Sequence, residues 1–427
     1  MKFSFYTLGC KVNQYETAAM ERTVEAAGHT VVSVDGQPDV FVINSCTVTA
    51  ESDRKTRQLV RKFRSLLPSA AIVLTGCMPQ AFPADAEALD AADIVLGNST
   101  NAKLIDSVNI FFATGERVIN IGEHKRGEKF DTPTIDRVPE RTRAYIKIED
   151  GCDRFCTYCI IPYARGRVRS KSIEQLHSEV CELAHSGYKE IVLVGINLSA
   201  FDDGGRDLAD AVESAAQVDG IERVRLGSLE PDMMSDGMLA RLAACDKFCP
   251  QFHLSLQSGC DRTLKAMNRH YDTAFYRDLC NRIRRTFDNA TITTDIMVGF
   301  PGESDDDFEQ SLAFAEEIGF EQAHIFAYSR RDGTPAAKAS GQVTRAVKEE
   351  RSRRMIAAMK QCRTKFLQGR IGHTVRVLLE SEHGGRLSGY TENYTPVSVD
   401  GTSELSGQIV SVEIIGTDGD CCIGKII

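Results

Sequence analysis

"AYIKIEDGCDRFCTYCIIPYARGRVRS", residues 144–170, runs from a short apolar segment into a loop that holds Cys152, Cys156 and Cys159. The apolar segment reads as a strand, and the CxxxCxxC spacing sets three thiols in the loop that follows it. Three thiolates this close suit three irons of a cubane cluster and leave the fourth iron open. A structural zinc would be closed by a fourth Cys or His at a matching spacing, and none follows nearby. The remaining alternative, three buried thiols by chance, is disfavoured by the spacing, the loop position and the polar residues around them.

Outward from this loop, strands are suggested by "AYIKIE", "EIVLVG", "RVRLGS", "QFHLSL", "ATITTDIMVGF" and "QAHIFAYS", with helices between them, for example over 172–186 and 304–318. Six strand-helix units predict a partial (β/α)6 barrel or an open doubly wound sheet. Polar residues recur at the carboxyl ends of these strands: Gly195 and Asn197, Glu230, Ser255, Gln257 and Ser258, then Asp295, Gly299, Pro301, Gly302 and Glu303. That rim is where an α/β barrel binds ligands. Singly, a Gly after a strand is usually a turn, and Glu230 before Pro231 only a helix cap. Together they point with the cysteine loop to one site.

Residues 3–97 repeat a unit of apolar strand, polar loop and amphipathic helix, which predicts a small parallel sheet with helices on its faces. Helices are expected from Gln14 to Gly28, over 50–66 and near 79–90. Cys10, Cys46 and Cys77 each follow a strand of this series, at separations of 36 and 31 residues. Parallel strands put all three on one sheet edge, where thiolates from three loops can converge on a second cluster. Cys10 alone would read as an ordinary thiol. The expected division is 1–110 for this domain, 111–138 for a linker, 139–368 for the barrel and 369–427 for a small β-barrel tail.

The 427 residues, 42% hydrophobic and 26% charged, describe a globular chain of two or three domains, and no run approaches the ~18 apolar residues of a membrane span. A cytoplasmic setting follows, in which the fourteen cysteines stay reduced. The net charge of −9 argues against a nucleic-acid partner on average, yet basic islands stand out. "RKTRQLVRKFR", residues 54–64, has six basic residues and no acidic one. It aligns Arg54, Arg57, Arg61 and Arg64 on one helical face, a spacing suited to phosphates; such a face is more often merely solvated. Cys181, Cys245, Cys249, Cys260, Cys280 and Cys362 read as structural thiols. Adjacent Cys421 and Cys422 would face opposite ways on a strand.

The cysteine loop and the rim segments resemble the radical S-adenosylmethionine superfamily. With the N-terminal cysteines and the β tail added, the chain resembles the methylthiotransferase family over nearly its whole length. The resemblance implies two 4Fe-4S clusters, one on Cys152, Cys156 and Cys159 and the other on Cys10, Cys46 and Cys77. S-adenosylmethionine would lie near Gly195, Asn197, Glu230, Ser255, Gln257, Asp295 and Gly299. It also implies reductive cleavage to a 5′-deoxyadenosyl radical, hydrogen removal from adenine C2, sulfur from the second cluster and a methyl group from a second S-adenosylmethionine. An electron donor and a sulfur donor are required, and the sequence names neither.

"LGCKVNQYET", "YSRRDGTPA" and "GYTENYTPV" are most similar to the branch that modifies threonylcarbamoyladenosine beside the tRNA anticodon. The same chemistry on isopentenyladenosine or on a ribosomal-protein aspartate is the nearest alternative, and a non-enzymatic RNA-binding iron-sulfur protein is the alternative of another class. The tail resembles a TRAM domain, an RNA-binding β-barrel. From Arg370 to Ile427 it carries four basic and eight acidic residues, so RNA contacts there would need a local surface, with Arg376, Arg386, Tyr390 and Tyr394 as candidates. A purely structural cap is the other reading of the tail.

Overall fold

In the first ninety residues, "VFVINS" and "AIVLTG" are apolar at successive positions, so both faces of the strands they form must be covered. In the computed structural model, which describes residues 1–135 and 142–427, they are. Strands β1 (Lys2–Thr7), β2 (Thr30–Val31), β3 (Val40–Ser45), β4 (Ala71–Gly76), β5 (Ile94–Leu96) and β6 (Val118–Asn120) pair in parallel in the order β2-β1-β3-β4-β5-β6. Val40 and Val42 point into one core with Met20, Val24, Leu104 and Val108. Phe41 and Ile43 point into the opposite one with Val60, Phe63 and Met78.

Helices α1 (Lys11–Ala26), α2 (Ala50–Leu66), α3 (Cys77–Ala81), α4 (Pro83–Glu87) and α5 (Leu104–Thr114) supply those cores. The α2 helix has the expected bounds, capped where Thr49 Oγ1 accepts from Ser52 N. The single helix expected near 79–90 is instead two short ones, because Pro83 has no N–H to continue α3 yet suits the first turn of α4. The first helix starts at Lys11 rather than Gln14. The sheet also runs past residue 110: β6 pairs with β5.

The stretch after β6 is pinned rather than loose. His124 Nε2 lies 2.9 Å from Asn98 Oδ1, Tyr15 Oη donates to the Pro133 carbonyl at 3.0 Å, and Ile135 is buried in the central core. The linker-to-barrel boundary at 138/139 lies outside the described residues.

The central strands are β7 (Arg143–Lys147), β10 (Glu190–Val194), β11 (Arg223–Leu226), β12 (Ser228–Leu229), β13 (Gln251–Leu254), β14 (Thr291–Val298) and β15 (Gln322–Ala327); short β8 (Glu149–Asp150) and β9 (Arg169–Ser170) pair separately. The central pairs are parallel, and neighbours follow chain order. A doubly wound sheet reverses its order partway, so this topology is the partial barrel. Its third strand breaks at Gly227 into β11 and β12, and the sheet divides there.

Ala144, Ile146, Ile191 and Leu193 face the outer helices. Tyr145, Val192 and Val194 face inward, where Val12 from the first turn of α1 packs against them. The N-terminal domain therefore enters the concave side of the barrel.

A helix over Arg345–Gln368 leads to β16 (Thr374–His383), β17 (Arg386–Thr391), β18 (Pro396–Asp400), β19 (Ile409–Thr417) and β20 (Cys422–Ile426), a closed barrel in the order β16-β17-β18-β20-β19. It docks on the central barrel through β11. Arg223 donates to the carbonyls of Tyr390 (3.1 Å) and Arg376 (2.8 Å), and Arg225 donates to those of Glu392 (2.8 Å) and Thr391 (3.2 Å). Cys422 is buried and Cys421 is half-buried, as alternation on a strand requires.

Candidate functional site

The first cysteine triad is assembled by two glycines and an asparagine. A Cβ at Gly9 would stand 2.9 Å from Cys46 Cβ, and one at Gly76, whose φ is +97°, would stand 2.5 Å from both Asn44 Oδ1 and the Ser45 carbonyl. The loops after β1, β3 and β4 close together because neither residue has a side chain. Asn13 laces them: its Nδ2 donates to the carbonyls of Leu8 (3.1 Å) and Ser45 (2.9 Å), and its Oδ1 faces Cys10 Sγ at 3.4 Å. Cys10 is exposed, whereas Cys46 and Cys77 are buried. Burial pushes the Cys77 thiol up to about 12 and raises that of Cys46.

The second triad lies in the loop between β8 and α6 (Ile161–Arg165). Gly151, with φ +86°, turns the chain so closely that a Cβ would meet the Arg167 carbonyl oxygen at 2.0 Å. Cys152 N donates to the Gly166 carbonyl (3.1 Å) and Cys159 N to that of Cys156 (3.0 Å). Burial pushes the Cys152 and Cys159 thiols up to about 12. Arg269 Nη1 donates to Cys156 Sγ at 3.3 Å. Among the described residues no group of three His, Cys, Asp or Glu side chains is arranged to hold a single metal ion. Thiols serving a cubane bind separate irons and need not converge on one point.

The two triads are joined by charges that sequence reasoning did not single out. Arg165, fully buried, donates to Glu16 Oε1 (2.7 Å), Glu16 Oε2 (3.0 Å), Asp150 Oδ1 (3.1 Å) and Asn13 Oδ1 (3.0 Å). Lys147 completes the group, 2.7 Å from Glu16 and 2.6 Å from Asp150. Although burial opposes it, Lys147, Arg165 and Arg169 hold the Asp150 carboxyl well below the usual carboxylate range. A second tie runs from Arg331, in "YSRRDGTPA", to Thr47 Oγ1 and Asp53 Oδ2, both at 2.7 Å. The signal for both was a charged residue inside each quoted motif.

The seven residues expected around S-adenosylmethionine fall into four groups. Gln257 and Asp295 line a cavity of about 390 Å³ with Cys159, Tyr158 and Thr49. Gln257 adopts φ +66°, and its buried Oε1 has no hydrogen-bond partner. Glu230 pairs with Arg269, which also donates to the Ser255 carbonyl at 3.2 Å, so both residues orient the guanidinium that touches Cys156. Glu230 makes no cap with its side chain, against the bland expectation.

Asn197 and Gly299 are not brought to this cavity. Glu149 Oε2 accepts from Asn197 N at 2.7 Å, and Glu303 Oε2 accepts from Gly299 N at 2.8 Å. A Cβ at Gly299 would meet the Lys348 side chain. Burial and the neighbouring Asp150 raise the Glu149 carboxyl to about 8.

Gly195 lines a second cavity, of about 500 Å³, between the concave barrel face, α1 and the C-terminal barrel. Cys10, Lys11, His253, His324, Tyr390 and Tyr394 line it too, and Asp295 borders both cavities. His253 Nε2 lies 3.2 Å from Asp295 Oδ2. Desolvation, with Arg143 and Arg225 nearby, lowers the Lys11 ammonium to about 8.

The RNA candidates have partners within the protein. Tyr390 and Tyr394 stack on each other at 4.4 Å, with Arg143 over both rings, and form a wall of the second cavity. Arg376 pairs with Glu222 at 2.6 Å, and Arg386 lies 3.7 Å from Asp400. On α2, Arg54 pairs with Glu51, Arg57 with Asp85, and Arg64 with Asp93 and three carbonyls, which leaves Arg61 of the four.

Comparison with known proteins finds three family matches along the chain. Residues 146–315 match the radical SAM superfamily, residues 2–97 the uncharacterized protein family UPF0004, and residues 368–418 the TRAM domain. The threonylcarbamoyladenosine tRNA methylthiotransferase MtaB of Bacillus subtilis is 34% identical over 420 residues, 96% of this chain and 93% of the relative. That of Thermotoga maritima is 38% identical over 395 residues, 91% and 89% of the two chains. A tRNA-2-methylthio-N(6)-dimethylallyladenosine synthase of Clostridium perfringens is 33% identical over 440 residues, 100% and 97% of the two chains. Among solved structures, the radical S-adenosylmethionine methyltransferase TsrM of Kitasatospora setae shares the fold with a TM-score of 0.59 at 14% identity, over 79% of this chain and 75% of that one.

Proposed function

Because this chain belongs to the radical S-adenosylmethionine methylthiotransferase family, we propose that it converts N6-threonylcarbamoyladenosine at position 37 of tRNA, 3′ of the anticodon, to the 2-methylthio derivative. The observation that carries the reading is the pair of cysteine triads, contributed by different domains and tied together by the buried Arg165 network. Two 4Fe-4S clusters are the groups these triads suit, Cys152, Cys156 and Cys159 holding one and Cys10, Cys46 and Cys77 the other. The chemistry supplied by such a cluster with S-adenosylmethionine is homolytic, able to remove hydrogen from an unactivated carbon.

The residues around it hold and shield. Arg269 donates to the Cys156 sulfur and is itself fixed by Glu230, Ser255 and Tyr271. The unpartnered Gln257 Oε1 beside Cys159 supports a polar ligand such as S-adenosylmethionine in the smaller cavity. Asp295, shared by both cavities, lies between that ligand and a base entering the larger one. Val12 of α1, packed on Tyr145, Val192 and Val194, gives the barrel interior beside Cys10 an apolar floor.

An anticodon loop would have to unstack its base to reach this depth. A reducing electron donor completes the reaction. Among the described residues no helix is long and apolar enough to cross a membrane, and we assign the work to the cytoplasm, with tRNA.

Nucleoside mass spectrometry of a deletion strain tests the substrate. Loss of methylthio-threonylcarbamoyladenosine is expected, whereas loss of the methylthio-isopentenyl nucleoside instead would move the enzyme to its sister branch. Anaerobic assay tests the residues: Cys156→Ala should abolish 5′-deoxyadenosine, and Cys10→Ala should keep it while losing sulfur insertion. Equal loss of both activities in a folded Cys10 variant would refute separate roles for the triads.

A further inference from the structure

The larger cavity holds a cation that hydrogen abstraction and sulfur transfer do not use. Lys11 lines it beside Cys10, half-buried. Its Nζ lies 5.6 Å from the centre of the Tyr145 ring, and among the described residues no carboxylate stands within ion-pair distance of it.

The other charged side chains at the cavity are engaged by hydrogen bonds among the described residues, Arg363 through neutral acceptors alone. Arg363 donates to Gln322 Oε1 (3.2 Å) and the Asp420 carbonyl (2.7 Å). Asp295 faces His253. Deeper in, Arg143 pairs with Glu380, and Arg225 with Glu190. A partly desolvated ammonium without a counter-charge opposes folding unless something arrives to pair with it. The cavity that Lys11 faces is large enough to admit that partner, and an anionic group suits it best.

We propose that Lys11 determines substrate specificity by pairing with the carboxylate of the threonylcarbamoyl group on the target adenosine. This assignment rests on the substrate reading given above. It fits the covalent layout of the base, because only N1 separates C2 from the carbon that bears the N6 substituent. A substituent anchored at Lys11 keeps C2 beside the edge that carries Cys10. An isopentenyl group has no charge to offer Lys11, and a hydrocarbon there would leave the ammonium unpaired.

The test compares anticodon stem-loop RNAs carrying threonylcarbamoyladenosine with the same RNAs carrying its threoninamide analogue, in which the carboxylate is a neutral amide. Affinities are read by fluorescence anisotropy on reconstituted wild type, Lys11→Gln and Lys11→Arg. A hydrogen bond between charged groups is worth roughly tenfold or more in affinity, so wild type should prefer the carboxylate RNA by about that factor. Lys11→Gln should bring the ratio to about one, and Lys11→Arg should largely retain it. Each ratio compares two RNAs on one preparation, so altered iron content or an unfolded fraction cancels.

An undiminished ratio in Lys11→Gln overturns the assignment. So does a wild type that methylthiolates the modified RNA without preferring its carboxylate. If wild type fails to methylthiolate threonylcarbamoyladenosine RNA at all, the product analysis shows that the substrate reading has failed, and this assignment falls with it.

Discussion

Arg165 illustrates how a single residue can join two chemistries. It belongs to the cysteine loop by sequence and to the N-terminal domain by contact, where Glu16 and Asn13 receive it. Arg165→Met leaves Glu16 and Asp150 buried with only Lys147 and Arg169 to balance them, and should lower stability by about 3 kcal/mol in chemical denaturation. Gly151 answers to a steric requirement instead. Gly151→Ala would drive a Cβ into the Arg167 carbonyl at a positive φ, so iron bound per chain should fall while far-UV circular dichroism stays near wild type. The positions of the cysteines were legible in the sequence, Cys152, Cys156 and Cys159 by their spacing and Cys10, Cys46 and Cys77 by their places after successive strands. The partners of Arg165, Arg269 and Arg331 were not, since a charged residue inside a motif does not name the distant side chain it meets.

At the scale of elements, strands were the easiest reading, because continuous apolar runs admit few alternatives. Helix α2 was equally clear in extent, but the partners of its basic face were not: a 3.6-residue period gives the face and not what lies opposite it. Arg64 spans to Asp93, the Pro68 and Ala70 carbonyls and the Ala91 carbonyl, and so fastens α2 to the sheet. Arg64→Ala should therefore cost about 1–2 kcal/mol of stability by thermal or denaturant unfolding. Arg61, exposed and without an ion pair among the described residues, should behave oppositely. Arg61→Ala should leave the melting temperature unchanged and, if α2 tracks phosphates, reduce the salt slope of tRNA binding by about one.

Across the whole molecule, the C-terminal barrel sits on the central one through Arg223 and Arg225, both held by Glu190 on the neighbouring strand. Burial opposes ionisation of Glu190, yet Arg225, Arg143 and Arg223 together keep its pKa below the usual carboxylate value. A lowered pKa means stability that is present above the unfolded-state pKa and lost as pH falls through the folded one. Acidification below about pH 4 should loosen the docked segment 390–395, read as faster amide exchange there, and Glu190→Gln should weaken docking at neutral pH and flatten that acid dependence.

By itself the sequence determined the two α/β series, the β tail and the places of the cysteines after their strands, because periodicity and spacing are properties of neighbours along the chain. Only the tertiary structure decided that the strands run in barrel order, that α1 enters the barrel, that Tyr390 and Tyr394 line the second cavity, and that Lys11 meets no carboxylate among the described residues. Each of those depends on which distant segment arrives opposite a given side chain, and pairing across hundreds of residues is settled by packing and charge in three dimensions.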